Sequence, residues 1–285
     1  RVAVDGREVR AILRGRMKRD LPRVVVGDRV RLEPEPGGQL FGIVGVDERR
    51  SLLGRRVPEG RGVRPIAANV DQVLVVSATA NPDPIPQLID RLLVIAEANE
   101  IPAAVVLNKI DLAPGDALAA RFEAAGYPVY RASARTGQGV DALAALLPGR
   151  ISVVTGPSGA GKSSLLNRLQ PGLSLRTAEI SARIRRGKQT TVSAVMIPLE
   201  HGGYLVDTPG FSEVGIWGLP AEALADCFPE MRRLPGQCRF TDCRHRGEPG
   251  CAVLAALKAG HIAPDRYQSY RALLEELESA PKDWE

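Results

Sequence analysis

Nine consecutive residues, Gly156-Pro157-Ser158-Gly159-Ala160-Gly161-Lys162-Ser163-Ser164, have the composition of a loop that holds phosphate. The apolar run 151–154 before them reads as a strand, and Leu165, Leu166 and Asn167 after them read as the opening of a helix. Glycines in such a loop let successive backbone amides turn towards phosphate oxygens, at the positive end of the helix that follows. In that setting Lys162 is expected to reach the β and γ phosphates, and the Ser163 hydroxyl to ligate Mg²⁺. A glycine-rich turn of no special function is the competing account, and the strand-loop-helix setting argues against it.

A phosphate loop does not choose its base; Asn108-Lys109-Ile110-Asp111, directly after the apolar run 104–107, does. A carboxylate at Asp111 accepts from both N1–H and N2–H of guanine, whereas adenine offers no such donor pair and would leave the charge unpaired. Ser133-Ala134, after the short run 129–130, fits a second base-contacting loop whose backbone amide supports the guanine O6. That dipeptide is common by chance and counts only in company with the other motifs.

Asp207-Thr208-Pro209-Gly210 closes another apolar run, with Asp207 placed to hold Mg²⁺ and the Gly210 amide to meet the γ phosphate. Between the phosphate loop and this element lies Arg185-Arg186-Gly187-Lys188-Gln189-Thr190-Thr191. Either Thr190 or Thr191 would close on Mg²⁺ and the γ phosphate, making the segment a nucleotide-ordered switch. Gln189 is a candidate to position the attacking water, against the plainer account of a solvated loop residue. Arg183, Arg185 and Arg186 suit either γ-phosphate charge or RNA. Phe211 stands where Ras-like proteins carry a water-orienting glutamine, so slow intrinsic turnover is expected.

These are the parts of a GTPase in an unusual order, because the base-reading residues 108–111 and 133–134 precede the phosphate loop. The reading is a circularly permuted domain, which a compact sheet with neighbouring termini tolerates. The new break follows residue 210, so the chain leaving that switch runs directly into the C-terminal residues. A γ-phosphate-dependent movement passed to that module is expected on this ground.

A second set of chemically capable residues lies further on. Cys238, Cys243, His245 and Cys251 form Cys-x4-Cys-x-His-x5-Cys among several arginines. Three thiolates and one imidazole match a closed tetrahedral structural zinc site, with buried reduced thiols as the alternative. Disulfides are the poorer explanation in a reducing compartment. Cys227 stands apart and reads as a small core residue, while His201 and His261 read as surface or helix-end residues. Arg232, Arg233, Arg239, Arg244 and Arg246 make the knuckle a second candidate RNA contact.

Three kinds of element must position these groups. Short β-branched runs at 2–4, 9–13, 24–26, 30–32 and 41–46, separated by Gly and Pro, predict a small barrel of OB type over 1–64. Arginines 10, 14, 16, 19, 23, 29 and 31 interleave with these runs, and Phe41 is the one aromatic ring, so contacts there would favour phosphate over bases. The stretch 58–62 reads as a linker. Over 65–217, apolar runs at 73–76, 104–107, 129–130, 151–154 and 205–206 alternate with helical patterns at 87–99 and 116–125, predicting an α/β sheet covered on both faces. Residues 218–285 predict a mostly helical module around the Cys and His cluster.

The 285-residue chain carries +5 at neutral pH, unevenly placed. Residues 1–65 hold 16 Lys and Arg against 9 Asp and Glu, and the remaining 220 hold 22 against 24. A basic module of this kind either seeks polyphosphate or is a solvated arginine-rich surface. Apolar runs are far shorter than the ~20 residues of a membrane span, and no charged-then-apolar leader opens the sequence, so a cytoplasmic protein is expected. The first residue is an arginine, which suggests numbering that starts inside the natural protein or after a removed segment.

A permuted phosphate-loop GTPase, a basic barrel before it and a Cys-x4-Cys-x-His-x5-Cys knuckle after it together resemble the bacterial ribosome small-subunit-dependent GTPases. The resemblance covers nearly the whole chain. It implies an OB-fold domain, a permuted GTPase domain and a zinc domain acting in late maturation of the 30S subunit, whose rRNA would be the partner and which would stimulate GTP hydrolysis. It also implies phosphate contacts at 156–164, guanine contacts at 108–111, one structural Zn²⁺, Mg²⁺ with GTP, and a monomer without membrane association. Where many members have a histidine before the switch threonines, this sequence has Gln189. Competing readings are a permuted GTPase for the large subunit or another RNA, and a nucleotide-gated RNA-binding scaffold with incidental hydrolysis. An ATP-dependent kinase is disfavoured by Asp111.

Overall fold

A computed structural model describes residues 1–4, 7–13, 22–37, 40–56, 63–173, 194–207, 216, 219–234 and 237–279. Arg14, Arg16, Arg19, the stretch 58–62, Arg183, Arg185, Arg186, Gln189, Thr190, Thr191, Thr208, Pro209, Gly210 and Phe211 lie outside the described residues.

Strands β1 (Val2–Val4) and β2 (Arg7–Val9) pair as an antiparallel hairpin. β3 (Ala11–Leu13), β4 (Val30–Pro34) and β5 (Phe41–Val46) form a three-stranded sheet in the order β3-β5-β4. The run 9–13, expected as one strand, divides at Arg10: Val9 pairs with Val2 in one sheet and Ala11 with Phe41 in another. The run 24–26 contributes a single bridge, from Val26 to Ala67. β6 (Leu52–Arg56) and β7 (Val63–Ala68) pair with each other. Asp28 ties this region together from within: its carboxylate is fully buried and accepts from Nε of Arg49 at 2.7 Å.

The centre is a six-stranded sheet in the order β10-β9-β8-β11-β13-β12. Its strands are β8 (Gln72–Ala78), β9 (Ala103–Asn108), β10 (Val129–Arg131), β11 (Ile151–Thr155), β12 (Val195–Pro198) and β13 (Tyr204–Asp207). All neighbours run parallel except edge strand β12, which runs antiparallel to β13. Along β8 and β9 alternate residues face opposite sides, as the two-residue period of a strand requires. Val73, Val75, Val105 and Leu107 enter one core, and Leu74, Val76, Ala104 and Val106 enter the other.

Helices α1 (Pro86–Ala98) and α2 (Asp116–Ala124) cover the first face; α3 (Val140–Ala144) and α4 (Lys162–Leu169) cover the second. A proline in the first turn starts α1, where its missing N–H is one the helix would leave unpaired. The C-terminal residues add α5 (Pro229–Arg232), α6 (Ala252–Lys258) and α7 (Pro264–Ser279). These helices pack onto α1. Phe228, Met231, Tyr270, Leu273 and Leu274 share one continuous buried cluster with Ile89, Leu92 and Leu93 of α1. Among the described residues, no helix is long and apolar enough to cross a membrane.

Candidate functional site

Parallel strands deliver their carboxyl ends to one edge of the sheet, and the loops there are where an open α/β sheet binds ligands. Four such loops converge: residue 79 onward after β8, 109–115 after β9, 132–138 after β10, and the phosphate loop after β11. The sequence separates the second and fourth by about fifty positions, yet Asn108, 1% exposed, bridges them. Its Nδ2 donates to the Ala160 carbonyl at 2.9 Å, and its Oδ1 accepts the Ala134 N–H at 3.1 Å. One buried amide therefore fixes the phosphate loop against the Ser133-Ala134 loop. Both of its polar ends are satisfied, which is what makes burial of an asparagine tolerable.

Asp111 stands beside this bridge. Its Oδ1 accepts the Ser133 hydroxyl at 2.5 Å, and Nε of Arg135 lies 3.3 Å from its Oδ2. The Ser133 hydroxyl also accepts the Thr136 N–H at 3.1 Å, so a fully buried serine organises the loop and orients the carboxylate at once. Lys109 adopts a left-handed backbone with φ of +66° and donates its ammonium to the Asn81 carbonyl.

In the phosphate loop, two glycines are required by space as well as by conformation. Gly156 (φ +137°) lies against the Val76 carbonyl of β8, and Gly161 (φ +85°) against the Asn108 amide, so a Cβ at either would overlap those atoms. Nζ of Lys162 donates to the Gly156 and Pro157 carbonyls at 2.7 and 2.8 Å. Ser163 and Ser164 are exposed on the first turn of α4, the end at which a helix leaves its first N–H groups without intrahelical partners. Asp207 ends β13, beside β11. The arrangement sets the glycine-rich loop 156–161 and the start of α4 against the loops that carry Asp111 and Ala134.

The sequence reading brought together Asn108, Lys109, Asp111, Ser133, Ala134 and residues 156–164, and it missed Thr79, Asn81 and Arg135. The loop after β8 carries no motif string. Its only signal was its position at the carboxyl end of a parallel strand adjacent to β9 and β11.

The second cluster lies beyond the sheet. The ligand atoms of Cys238, Cys243, His245 and Cys251 all lie within 4.8 Å of one another. A tetrahedral zinc with Zn–S of ~2.3 Å and Zn–N of ~2.0 Å has edges of roughly 3.8 Å between sulfurs and 3.5 Å between sulfur and nitrogen. Cys238 Sγ lies 3.9 Å from Cys251 Sγ and 3.5 Å from His245 Nδ1, and the latter lies 3.3 Å from Cys251 Sγ, so these three donors fit that ion, with Cys243 Sγ within 4.8 Å of each. Backbone N–H groups of Ala252 and Leu254 point at Cys238 and Cys251 at 3.3 and 3.4 Å, the pattern that supports thiolate sulfur.

Burial opposes ionisation of Cys238, but the Ala252 N–H and the neighbouring thiols outweigh it, leaving that thiol below its ordinary range. Burial pushes Cys243 up to about 12 and holds His245 below its ordinary value, so the imidazole is neutral, the form that ligates metal. Glu248 caps the turn between ligands by accepting the N–H groups of Arg244 and Arg246 at 2.7 and 2.6 Å. Tyr267 and Tyr270 of α7 donate their hydroxyls to the His245 and Arg244 carbonyls at 2.6 and 3.1 Å, seating the knuckle on the helix.

A mostly parallel sheet whose loops 108–111 and 133–134 come earlier in the chain than the loop 156–164 has the motif order of a circularly permuted GTPase. Residues 46–217 match the family model of the RsgA GTPase, and the chain belongs to that family. It is 49% identical over 281 residues to the small ribosomal subunit biogenesis GTPase RsgA of Gemmatimonas aurantiaca, an alignment covering 96% of this chain and 92% of that one. The relative of the same name from Moorella thermoacetica is 43% identical, with 97% and 92% covered. The crystal structure of YjeQ from Thermotoga maritima superposes with a TM-score of 0.78 at 36% identity, covering 97% of this chain and 93% of the other. That of YloQ, described as a circularly permuted GTPase, gives 0.74 at 26% identity, with 96% and 87% covered. The chain is a GTP hydrolase of this permuted kind.

Proposed function

We propose that this GTPase is a nucleotide-switched factor in late assembly of the small ribosomal subunit, whose rRNA it contacts and which stimulates its hydrolysis. The observation that carries the nucleotide half is the Asn108 bridge, which sets the base-reading carboxylate of Asp111 at a fixed distance from the phosphate loop. The ribosomal half draws on the names of relatives such as the one that is 49% identical and on the excess of arginine in the first 65 residues.

In this reading Asp111 accepts the two guanine donors, the Ala134 amide supports O6, and the aliphatic stem of Lys109 lies along the base. Amides of residues 156–164 hold the phosphates, and Lys162 leaves the loop carbonyls to pair with the β and γ oxygens. Mg²⁺, when bound with GTP, neutralises charge developing on the transferred phosphoryl group, with Ser163 and Asp207 as the residues to hold it. Gly210 and either Thr190 or Thr191 complete the γ-phosphate contacts, and Gln189 orients water. Because Phe211 replaces the usual glutamine, fast turnover needs a group or an ordering event supplied by the subunit.

Three units follow from the same reading: an OB-type barrel over 1–64 that binds RNA, the permuted GTPase over 65–217, and a zinc-binding helical unit over 218–285 with Cys238, Cys243, His245 and Cys251 holding one structural Zn²⁺. The protein acts as a cytoplasmic monomer. GTP turnover measured alone, with isolated 30S subunits and with 50S subunits at fixed Mg²⁺ and salt tests the proposal. Stimulation by 30S alone supports it; stimulation by 50S, or by neither, overturns the assignment of target.

A further inference from the structure

Thr79 lies one residue past β8 and is 9% exposed. Its hydroxyl donates to the Lys109 carbonyl at 2.9 Å, and its N–H donates to the Asn108 carbonyl at 2.9 Å. The Lys109 carbonyl also accepts the Leu112 N–H at 2.8 Å, closing the turn over 109–112 that carries Asp111. That turn begins with Lys109 in a left-handed conformation, which a side chain other than glycine adopts only when its surroundings hold it there.

The other end of the segment is held by the same residue. A Cβ built on Gly115 would come within 2.6 Å of the Thr79 methyl, so that methyl fills the space a side chain would need. Gly115, with φ of +69°, is the residue from which α2 starts. Thr79 thus grips the segment 109–115 twice, by its hydroxyl where the segment leaves β9 and by its methyl where it enters α2. Asp111 lies between these grips, and Ser133 and Arg135 approach its carboxylate from the neighbouring loop.

We propose that Thr79 is a positioning residue for base selection: its hydroxyl fixes the turn over 109–112 so that both carboxylate oxygens of Asp111 address the edge of the base. The inference rests on the reading of Asp111 as the guanine-recognising carboxylate. Inosine diphosphate isolates the effect, since it keeps N1–H but lacks the 2-amino group and engages only one of the two oxygens.

The test is competition of GDP and of inosine diphosphate against a fluorescent mant-GDP probe on the full chain. Thr79→Val keeps the volume and removes the donor. GDP binding is expected to weaken about tenfold and inosine diphosphate binding less than about threefold, so discrimination falls by about threefold or more. Thr79→Ser keeps the donor and is expected to restore it. Should Thr79→Val not fold, Thr79→Ala compared with Thr79→Ser carries the test, because both lack the methyl and only the serine keeps the hydroxyl. Equal loss for both nucleotides would mark a merely structural role and overturn the inference. Asp111→Asn separates the two layers: if it leaves discrimination unchanged, the base reading itself falls. If it abolishes discrimination while Thr79→Val retains it, only the role of Thr79 falls.

Discussion

Arg266 and Asp90 meet at 2.6 Å with side chains 1% and 0% exposed, although they stand 176 positions apart in the chain. Arg266 belongs to α7 and Asp90 to α1, so the contact joins the C-terminal helices to the layer that covers the sheet. Asp90 is shared with Arg121 of α2, whose two terminal nitrogens reach its oxygens at 2.8 and 2.7 Å. Arg266 turns its remaining donors to Glu230 at 2.6 and 3.0 Å and lies over the Phe228 ring at 4.6 Å. Burial alone would disfavour charge on Arg266, but Glu230 and Asp90 outweigh it and keep the guanidinium ionised well above its ordinary range. The C-terminal helices are therefore tied to α2, the helix that directly follows the segment carrying Asp111.

Removing one member of a buried charged network strands the rest. Arg266→Met is expected to destabilise the protein by about 3–5 kcal/mol, because Asp90 and Glu230 lose a partner they cannot replace with water. Urea unfolding followed by circular dichroism measures this, and a loss below about 1 kcal/mol would show that water or relaxation compensates.

Acid should loosen the same junction from its exposed edge. Burial raises the Asp265 carboxyl, but its hydrogen bond and attraction to Arg121 outweigh that and leave it below the ordinary aspartate value. A depressed folded value stabilises the fold above the unfolded value of about 4 and is lost as pH falls through and below it. The melting-temperature gap between wild type and Asp265→Asn is expected to be constant from pH 7 to about 5 and to close below about 4. A gap that is unchanged at pH 3 would exclude the ionised carboxylate as its source.

Metal analysis of the purified chain is expected to find one zinc per molecule, lost in Cys251→Ala. Cys251 is both a donor in the cluster and the cap of α6, accepting the Leu254 N–H. Chelation should lower the melting temperature and release the knuckle from Tyr267 and Tyr270, since metal binding and local folding are one equilibrium in such sites. Tyrosine fluorescence that does not respond to a chelator would argue for buried reduced thiols instead.

Asn108→Ala is expected to weaken guanine nucleotide binding by about 10- to 100-fold. Two buried bonds disappear, and the Ala160 carbonyl and Ala134 N–H lose their partner. Equilibrium binding of mant-GDP reads the effect. Thr79 variants should act more selectively, because they leave this bridge in place.

The sequence alone determined the chemistry, because its carriers are local. A phosphate loop is a strand, a glycine-rich turn and a helix start within about fifteen residues, and each of these signals is readable where it stands. The same holds for residues 108–111 and for the spacing of Cys238, Cys243, His245 and Cys251. Even the permuted order was legible, as it is a statement about position in the chain. Strands β6, β7 and β12 were not, since their apolar patterns are short and their pairing partners, rather than their own residues, make them strands.

Tertiary structure alone decided how these parts are held. Asn108 reads as a base-motif residue, and only the adjacency of β9, β8 and β11 makes it the bridge between loops. Thr79 and Asp90 carry no motif at all; they matter because the sheet order sets one beside Lys109 and because α7 folds back on α1. Such relationships need the loop closures of the whole domain, and no window of sequence contains both partners.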